Sequence, residues 1–138
     1  MDRLLFLGVG TIAHAVQRLL PTLPAAGTTR APPDQRFRAI VPIDASDAPA
    51  IRAAAHGANV VVSFPPADPI DRAWTALMTE AASIAYVSST AVYATSAAPV
   101  TEASAVSAAA ERAALRLVAE QRWQDAGASV VRLPAFYG

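Results

Sequence analysis

Arg3-Leu4-Leu5-Phe6-Leu7-Gly8-Val9-Gly10-Thr11-Ile12-Ala13-His14-Ala15-Val16 decides how the rest of the chain is read. Residues 4–7 are an uninterrupted apolar run, the pattern of a strand buried on both faces. The run breaks at Gly8, and apolar residues resume at helical spacing after Ala13. Strand, tight glycine turn and helix together are the setting in which Gly-x-Gly-x-x-Gly/Ala carries meaning. Gly8 permits the turn, Gly10 lets the backbone approach a pyrophosphate, and Ala13 is small enough for the helix to pack on the strand. The helix, opening at Thr11 and Ile12, offers free N–H groups and a partial positive charge to phosphates. Taken alone, the motif also fits a strand-to-helix turn with no ligand.

The totals narrow the choice. A chain of 138 residues is enough for one ordinary domain with a real core. A formal net charge of +0 gives no basic surface for nucleic acid or an anionic membrane. With no cysteine there is no disulfide, thiolate metal site or cysteine nucleophile, and His14 and His56 make no metal signature. No apolar run approaches the roughly 20 residues of a membrane span, and the N-terminus lacks the pattern of a signal peptide. A cytoplasmic protein is therefore expected. All eleven basic residues are arginine, so chemistry that needs a lysine of this chain is excluded.

Outward from the first turn, the pattern alternates. A helix over 11–20 stops at Pro21, which cannot continue it. Strands are expected over 25–30 and 37–43, then a helix over 48–56 ending at Gly57. Asn59-Val60-Val61-Val62-Ser63-Phe64 is the clearest strand, closed by Pro65-Pro66. A helix over 69–82 carries Ile70, Trp74, Leu77 and Met78 along one stripe. A strand over 83–88, a polar loop through Pro99 and Glu102, a long helix over 104–125 and a strand over 129–133 complete the order. Such alternation predicts an α/β fold, a Rossmann-type doubly wound parallel sheet of about six strands in the order 3-2-1-4-5-6, in a single domain over residues 1–138. One junction is too short: about six residues join the second and third strands, where a parallel crossover needs roughly ten or more. Either a helix has been lost there or the second strand is misplaced.

With the strands placed, the motifs resemble the extended, epimerase/dehydratase-like branch of the short-chain dehydrogenase/reductase superfamily, in particular its atypical members. Gly8-Val9-Gly10-Thr11-Ile12-Ala13 resembles its first phosphate loop, and Gly27-Thr28-Thr29-Arg30 the end of its second strand, where an arginine commonly accompanies NADP. Asp44 falls where an aspartate caps the adenine, and Ser63-Phe64-Pro65 where the fourth strand passes the cofactor. Tyr86-Val87-Ser88-Ser89-Thr90-Ala91-Val92-Tyr93 is similar to the Ser-Ser-x-x-Val-Tyr stretch, which places Ser89 at the active-site serine/threonine. Arg132-Leu133-Pro134-Ala135-Phe136-Tyr137-Gly138 is close to the segment after the sixth strand, bringing Pro134 to the cofactor.

Two departures qualify what the resemblance implies. The family's general acid is the tyrosine of Tyr-x-x-x-Lys. Aligning on Ala119-Glu120 puts Arg112 at the tyrosine and Arg116 at the lysine. An arginine, with a pKa above about 12, releases no proton at working pH, so Arg112 does not replace the acid. Arg116 remains able to hold the nicotinamide ribose as a fixed cation. The second departure is length: extended members carry a further substrate domain, so the expectation is of a cofactor half without its substrate half.

Other readings compete at single positions. Arg30 is a bidentate clamp for a 2′-phosphate or a solvated loop arginine. Asp44 contacts adenine or caps a helix. Ser89 donates a hydrogen bond to substrate or serves turn chemistry, and Tyr93 is a surrogate acid or packs. His14 is exposed or packed, and His56 suits the end of its helix. Arg112, Arg116 and Arg122 form a solvated helical face on which Arg116 alone turns inward. Trp74, Leu77 and Met78 are core or subunit contact.

The expected ligand is a dinucleotide, NADP with NAD as the other option, bound by Gly8, Gly10, Thr11, Ile12, Ala13, Arg30, Asp44, Ser63, Phe64, Pro65, Ser88, Arg116 and Pro134. Ser89 and Tyr93 are the catalytic candidates, and no metal is expected. The family's chemistry is hydride transfer at a nicotinamide. The alternatives are a non-catalytic dinucleotide-binding module and a truncated, inactive fragment. The resemblance also implies a homodimer through the helices over 69–82 and 104–125, where Val106, Leu115, Leu117 and Val118 are apolar on more than one side. The small-molecule substrate is not named by the sequence.

Overall fold

The computed structural model describes residues 2–94, 101–108 and 111–134. Six strands form one all-parallel sheet. They are β1 (Leu4–Leu7), β2 (Ala25–Thr29), β3 (Val41–Asp44), β4 (Asn59–Val62), β5 (Ser83–Ser89) and β6 (Ser129–Leu133), in the order β3-β2-β1-β4-β5-β6. Four helices join them: α1 (Thr11–Leu19), α2 (Ala48–Ala55), α3 (Asp68–Thr75) and α4 (Glu111–Asp125). The expected Rossmann topology is present, with its switch point between β1 and β4, where successive connections leave in opposite directions.

All four residues of β1 are buried, as a central strand covered on both faces requires. The larger core lies under α2, α3 and α4, where Leu5, Leu7, Ile51, Val60, Val62, Ile84, Tyr86 and Trp123 pack together. The smaller core lies under α1 and holds Leu4, Phe6, Ala13, Ala25, Phe37 and Ile40.

The short junction after β2 resolves in favour of a lost helix. The second strand stands where expected, and a single 3-10 turn, Gln35–Phe37, replaces the crossover helix. The strand expected over 37–43 begins only at Val41. Phe37 and Ile40 look like strand residues because they are apolar, yet they turn down to fill the space a helix would have covered.

Two helices are shorter than their patterns suggest. The one expected over 69–82 ends at Thr75, whose hydroxyl donates back to the carbonyls of Asp71 and Arg72. Leu77 and Met78 continue in tight turns bonded to the carbonyls of Trp74 and Thr75, and Met78 is still buried. The helix expected over 104–125 is described from Glu111. Residues 104–107 instead lie along 92–94: Val106 bridges Tyr93, Ala94 N–H donates to the Ala105 carbonyl and Ser107 N–H to the Val92 carbonyl. Val106 therefore belongs to no helix, whereas Leu115 and Val118 keep an apolar exposed patch on α4. No helix among the described residues is long and apolar enough to cross a membrane.

Candidate functional site

The turn after β1 is held from three sides. Gly8 has φ +92, and a Cβ there would stand 3.2 Å from both the Cβ and the nitrogen of Phe64. Its N–H donates to Thr28 Oγ1 at 3.0 Å, and its carbonyl accepts from Ser63 Oγ at 3.3 Å. Gly27, quoted above only as the start of the motif that ends β2, makes room for the same turn: a Cβ there would lie 2.4 Å from Val9 Cγ2. Gly10 is different. It precedes α1 without a side-chain cap, and nothing stands within 4 Å of where its Cβ would be. Packing gives no reason for this glycine; open space above a helix N-terminus does. Thr11 is exposed there, and Ala13 is fully buried against the sheet.

Two cavities meet above this turn at the carboxyl ends of the strands, sharing Phe64 and Pro65. The first, of about 380 Å³, runs from Gly8 and Val9 across Thr28 to Arg30 and Arg36. The second, of about 480 Å³, is lined by Ile12, Ser63, Ser88, Ser89, Thr90, Arg116 and Pro134. Phe64 is fixed between them by edge-on contact with Trp74, the ring centroids 5.0 Å apart.

Arg30 is exposed at the junction of the first cavity and two others at the ends of β2 and β3. Among the described residues it has neither hydrogen bond nor ion pair. Arg36, missed in the sequence, faces the same cavity. Its Nε donates to both oxygens of Asp34, at 3.0 and 3.2 Å, and the Arg36 side-chain and backbone hydrogen bonds hold the Asp34 carboxyl below its ordinary range.

Asp44 caps no helix, because Asp47 does, accepting from Ala50 N–H at 3.1 Å. Asp44 accepts instead from the hydroxyl and N–H of Ser46, at 2.6 and 2.8 Å, which lowers its pKa. It lines those two further cavities beside Arg30.

The catalytic candidates are not brought together. Ser89 lines the second cavity while its Oγ also accepts from Ala91 N–H at 3.1 Å, so the site position and the turn role coexist. Tyr93 lies in a separate cavity with Thr101, Glu102 and Arg132, its ring 5.0 Å beneath the Arg132 guanidinium. Ser88 lines the second cavity, but its hydroxyl turns inward and donates to Glu120 Oε1 at 2.5 Å.

Nor are the three arginines of α4 one solvated face. Arg112 is exposed and Arg116 half-buried, its Nη1 donating to Tyr86 Oη at 3.3 Å. Arg122 ties α4 to α3 through Asp68 at 2.5 Å, and its Nε is buried without a partner. Burial pushes the Tyr86 hydroxyl up against the opposing pull of Arg116. Tyr86 is wholly buried and lines neither cavity, so it delivers no proton there. His14 and His56 line neither cavity, and His56 pairs with Glu80.

Two buried carboxylates, given no site role from the sequence, are fully hydrogen-bonded. Glu120 is buried and accepts from Arg132 Nη2 at 2.7 Å and Nε at 2.9 Å. Burial alone would raise its carboxyl; the hydrogen bonds from Arg132 and Ser88 and the charges of Arg132 and Arg116 outweigh that and hold it low. Asp71 is buried and accepts from Trp123 Nε1 and Ala67 N–H, both at 2.9 Å. A lone carboxylate within an otherwise apolar helix stripe was the available signal at both positions. No cluster of metal-ligating side chains occurs among the described residues.

No protein-family model matches the sequence, and no curated protein matches it. Solved structures do. A candidate epimerase from Burkholderia cenocepacia superposes with TM-score 0.77 at 23% identity, covering 99% of this chain and 55% of the other. A conserved protein of unknown function from Silicibacter pomeroyi gives 0.76 at 24% identity, covering 96% and 53%. The UDP-glucuronic acid 4-epimerase of Bacillus cereus, solved with UDP-glucuronic acid and NAD, gives 0.69 at 12% identity, covering 97% and 56%. The chain spans about half the length of these structures and has the fold they share. The fold expected from the motif resemblance is the one found.

Proposed function

We propose that the chain binds a nicotinamide dinucleotide across the two cavities, with NADP preferred over NAD. The observation that carries the preference is Arg30, unpaired at the mouth of the first cavity, with Arg36 beside it. A guanidinium without a carboxylate partner is matched by a phosphate, which it grips bidentately. The pyrophosphate then lies over Gly10 and the uncapped start of α1, with adenine toward Asp44 and Ile70. The nicotinamide end enters the second cavity, where Ser89 and Arg116 offer donors.

The family chemistry would be hydride transfer at the nicotinamide. Arg116 is the one ionisable side chain lining the second cavity among the described residues, and arginine is not a general acid. This favours a dinucleotide-binding module: hydride transfer with protonation would need a donor from outside the described residues. A cytoplasmic setting, where such cofactors are held, accompanies the proposal, and the exposed Leu115 and Val118 are its candidate dimer contact.

The experiment is a calorimetric titration of the chain with NADPH and NADH, repeated with Arg30→Ala. NADPH is expected to bind more tightly, and Arg30→Ala to weaken it at least about tenfold while leaving NADH nearly unchanged. Equal loss for both cofactors would remove the 2′-phosphate role, and no binding of either by the folded chain would remove the proposal.

A further inference from the structure

The second cavity carries a charge that a dinucleotide does not answer. Arg116 is half-buried on α4 and projects to the cavity between the hydroxyl-bearing ends of β4 and β5. Its one hydrogen bond among the described residues is to Tyr86 Oη, a neutral group that fixes the guanidinium without compensating it. Tyr86 is itself immobilised, wholly buried and stacked on Trp123 at 6.1 Å. The nearby carboxylate, Glu120, is engaged by Arg132 through both oxygens and by Ser88 through one. Arg112, one turn earlier on α4, is exposed and has no partner among the described residues. Ser89 and Thr90 supply hydroxyls on the opposite wall.

We propose that the second cavity is a receptor for a small oxyanion, the carboxylate or phosphate of a small-molecule ligand, held by the Arg116 guanidinium with Ser89 and Thr90. A ribose hydroxyl would satisfy one N–H of Arg116 but add no counter-ion to its fork: Glu120 attracts Arg116, yet its oxygens are already held by Arg132 and Ser88. An oxyanion matches both the charge and the planar fork. The unreactive arginine that stands beside Ser89 thus recognises and orients a ligand and transfers no proton. The site exists with or without a cofactor, because none of its donors is supplied by one.

The test is an amide-resolved NMR titration of the full chain, without cofactor, using malonate in one arm and inorganic phosphate in the other. Saturable shifts are expected at the Ser89, Thr90 and Arg116 amides, weakened about tenfold or more in Arg116→Gln and unchanged in Arg52→Ala, at an exposed residue of α2 that lines neither cavity. The arm with the tighter binding identifies whether carboxylate or phosphate is the preferred source. Absence of saturable shifts at these amides, or shifts that survive Arg116→Gln, overturns the proposal. The same spectra show whether each variant is folded. If Arg116→Gln is not, Arg116→Lys replaces it, with severalfold weaker binding expected and unchanged affinity overturning the role of the guanidinium. NADPH is titrated in parallel. Oxyanion binding without NADPH binding removes the cofactor reading and keeps this one, and the reverse result does the opposite.

Discussion

The two wings of the sheet, on either side of the β1–β4 switch point, solve the same packing problem with different materials. Under β4, β5 and β6 the layer is built from α3 and α4, with Trp123, Tyr86 and Trp74 in contact and two buried carboxylates fully engaged. Over β2 and β3 a helix is missing, and a 3-10 turn lowers Phe37 and Ile40 into its place. The edge strand β3 there is largely exposed, with Val41 66% accessible. One wing is a densely packed platform; the other is thin, and its Arg30 stands free to meet a ligand beside the Asp34-paired Arg36. The difference predicts that stability resides in the first wing and cofactor discrimination in the second.

The largest effect tests the platform. Trp123→Ala removes a buried ring that stacks on Tyr86 and satisfies Asp71, and should lower unfolding free energy by about 3–5 kcal/mol in a denaturant titration. Glu120→Gln should lose about 3 kcal/mol by leaving Arg132 without its counter-charge.

Glu120 also sets a pH dependence. Its carboxyl is lower folded than unfolded, so its contribution is complete above the unfolded value of 4.5 and disappears as pH falls through the folded value. Stability of the native sequence should therefore fall steeply below about pH 4.5, with a flatter curve for Glu120→Gln. Identical slopes would show that the cluster is not coupled to folding.

On the thin wing, Phe37→Ala should cost less, about 2 kcal/mol, because the residue sits at the rim of the smaller core. A loss as large as that of Trp123→Ala would erase the contrast. The smallest effect on folding carries the largest on binding. Gly10→Ala has room for its methyl group and should change stability by less than about 1 kcal/mol. The same methyl should weaken NADPH binding about tenfold or more, since it occupies the space proposed for the pyrophosphate. Calorimetry and thermal unfolding on one preparation separate the two outcomes.

The sheet was legible because buried parallel strands read as apolar runs and the glycine turn marks the first of them. Strands β1, β4, β5 and β6 stand within a few residues of where the pattern puts them. The third strand and two helix boundaries were misread for one reason: apolar residues say that a segment is buried, not by which element. Phe37, Ile40, Leu77 and Met78 are buried or half-buried as their chemistry requires, yet lie in turns.

At the site, the glycines, Arg30 and Ser89 were visible because backbone geometry and local motifs constrain them. Arg36, Gly27, Glu120 and the Tyr86–Arg116 contact were not. Their significance depends on partners such as Ser88, 32 residues from Glu120, and Tyr86, 30 from Arg116.

By itself, then, the amino-acid sequence determined the alternation of strand and helix, the parallel sheet order and the turn at Gly8-Val9-Gly10. These follow from periodicity and backbone sterics, which act over a few residues. Tertiary structure alone decided the pairing of Arg30, Arg116, Arg122 and Arg132, whereas Arg36 and Arg72 pair locally with Asp34 and Asp68. Arg122 and Arg132 find carboxylates, Arg116 finds a neutral hydroxyl and Arg30 finds nothing among the described residues. The four site pairings are settled by what folding brings within about 4 Å, where Coulomb attraction outweighs the loss of water, and residues far apart in sequence carry no local pattern for that distance.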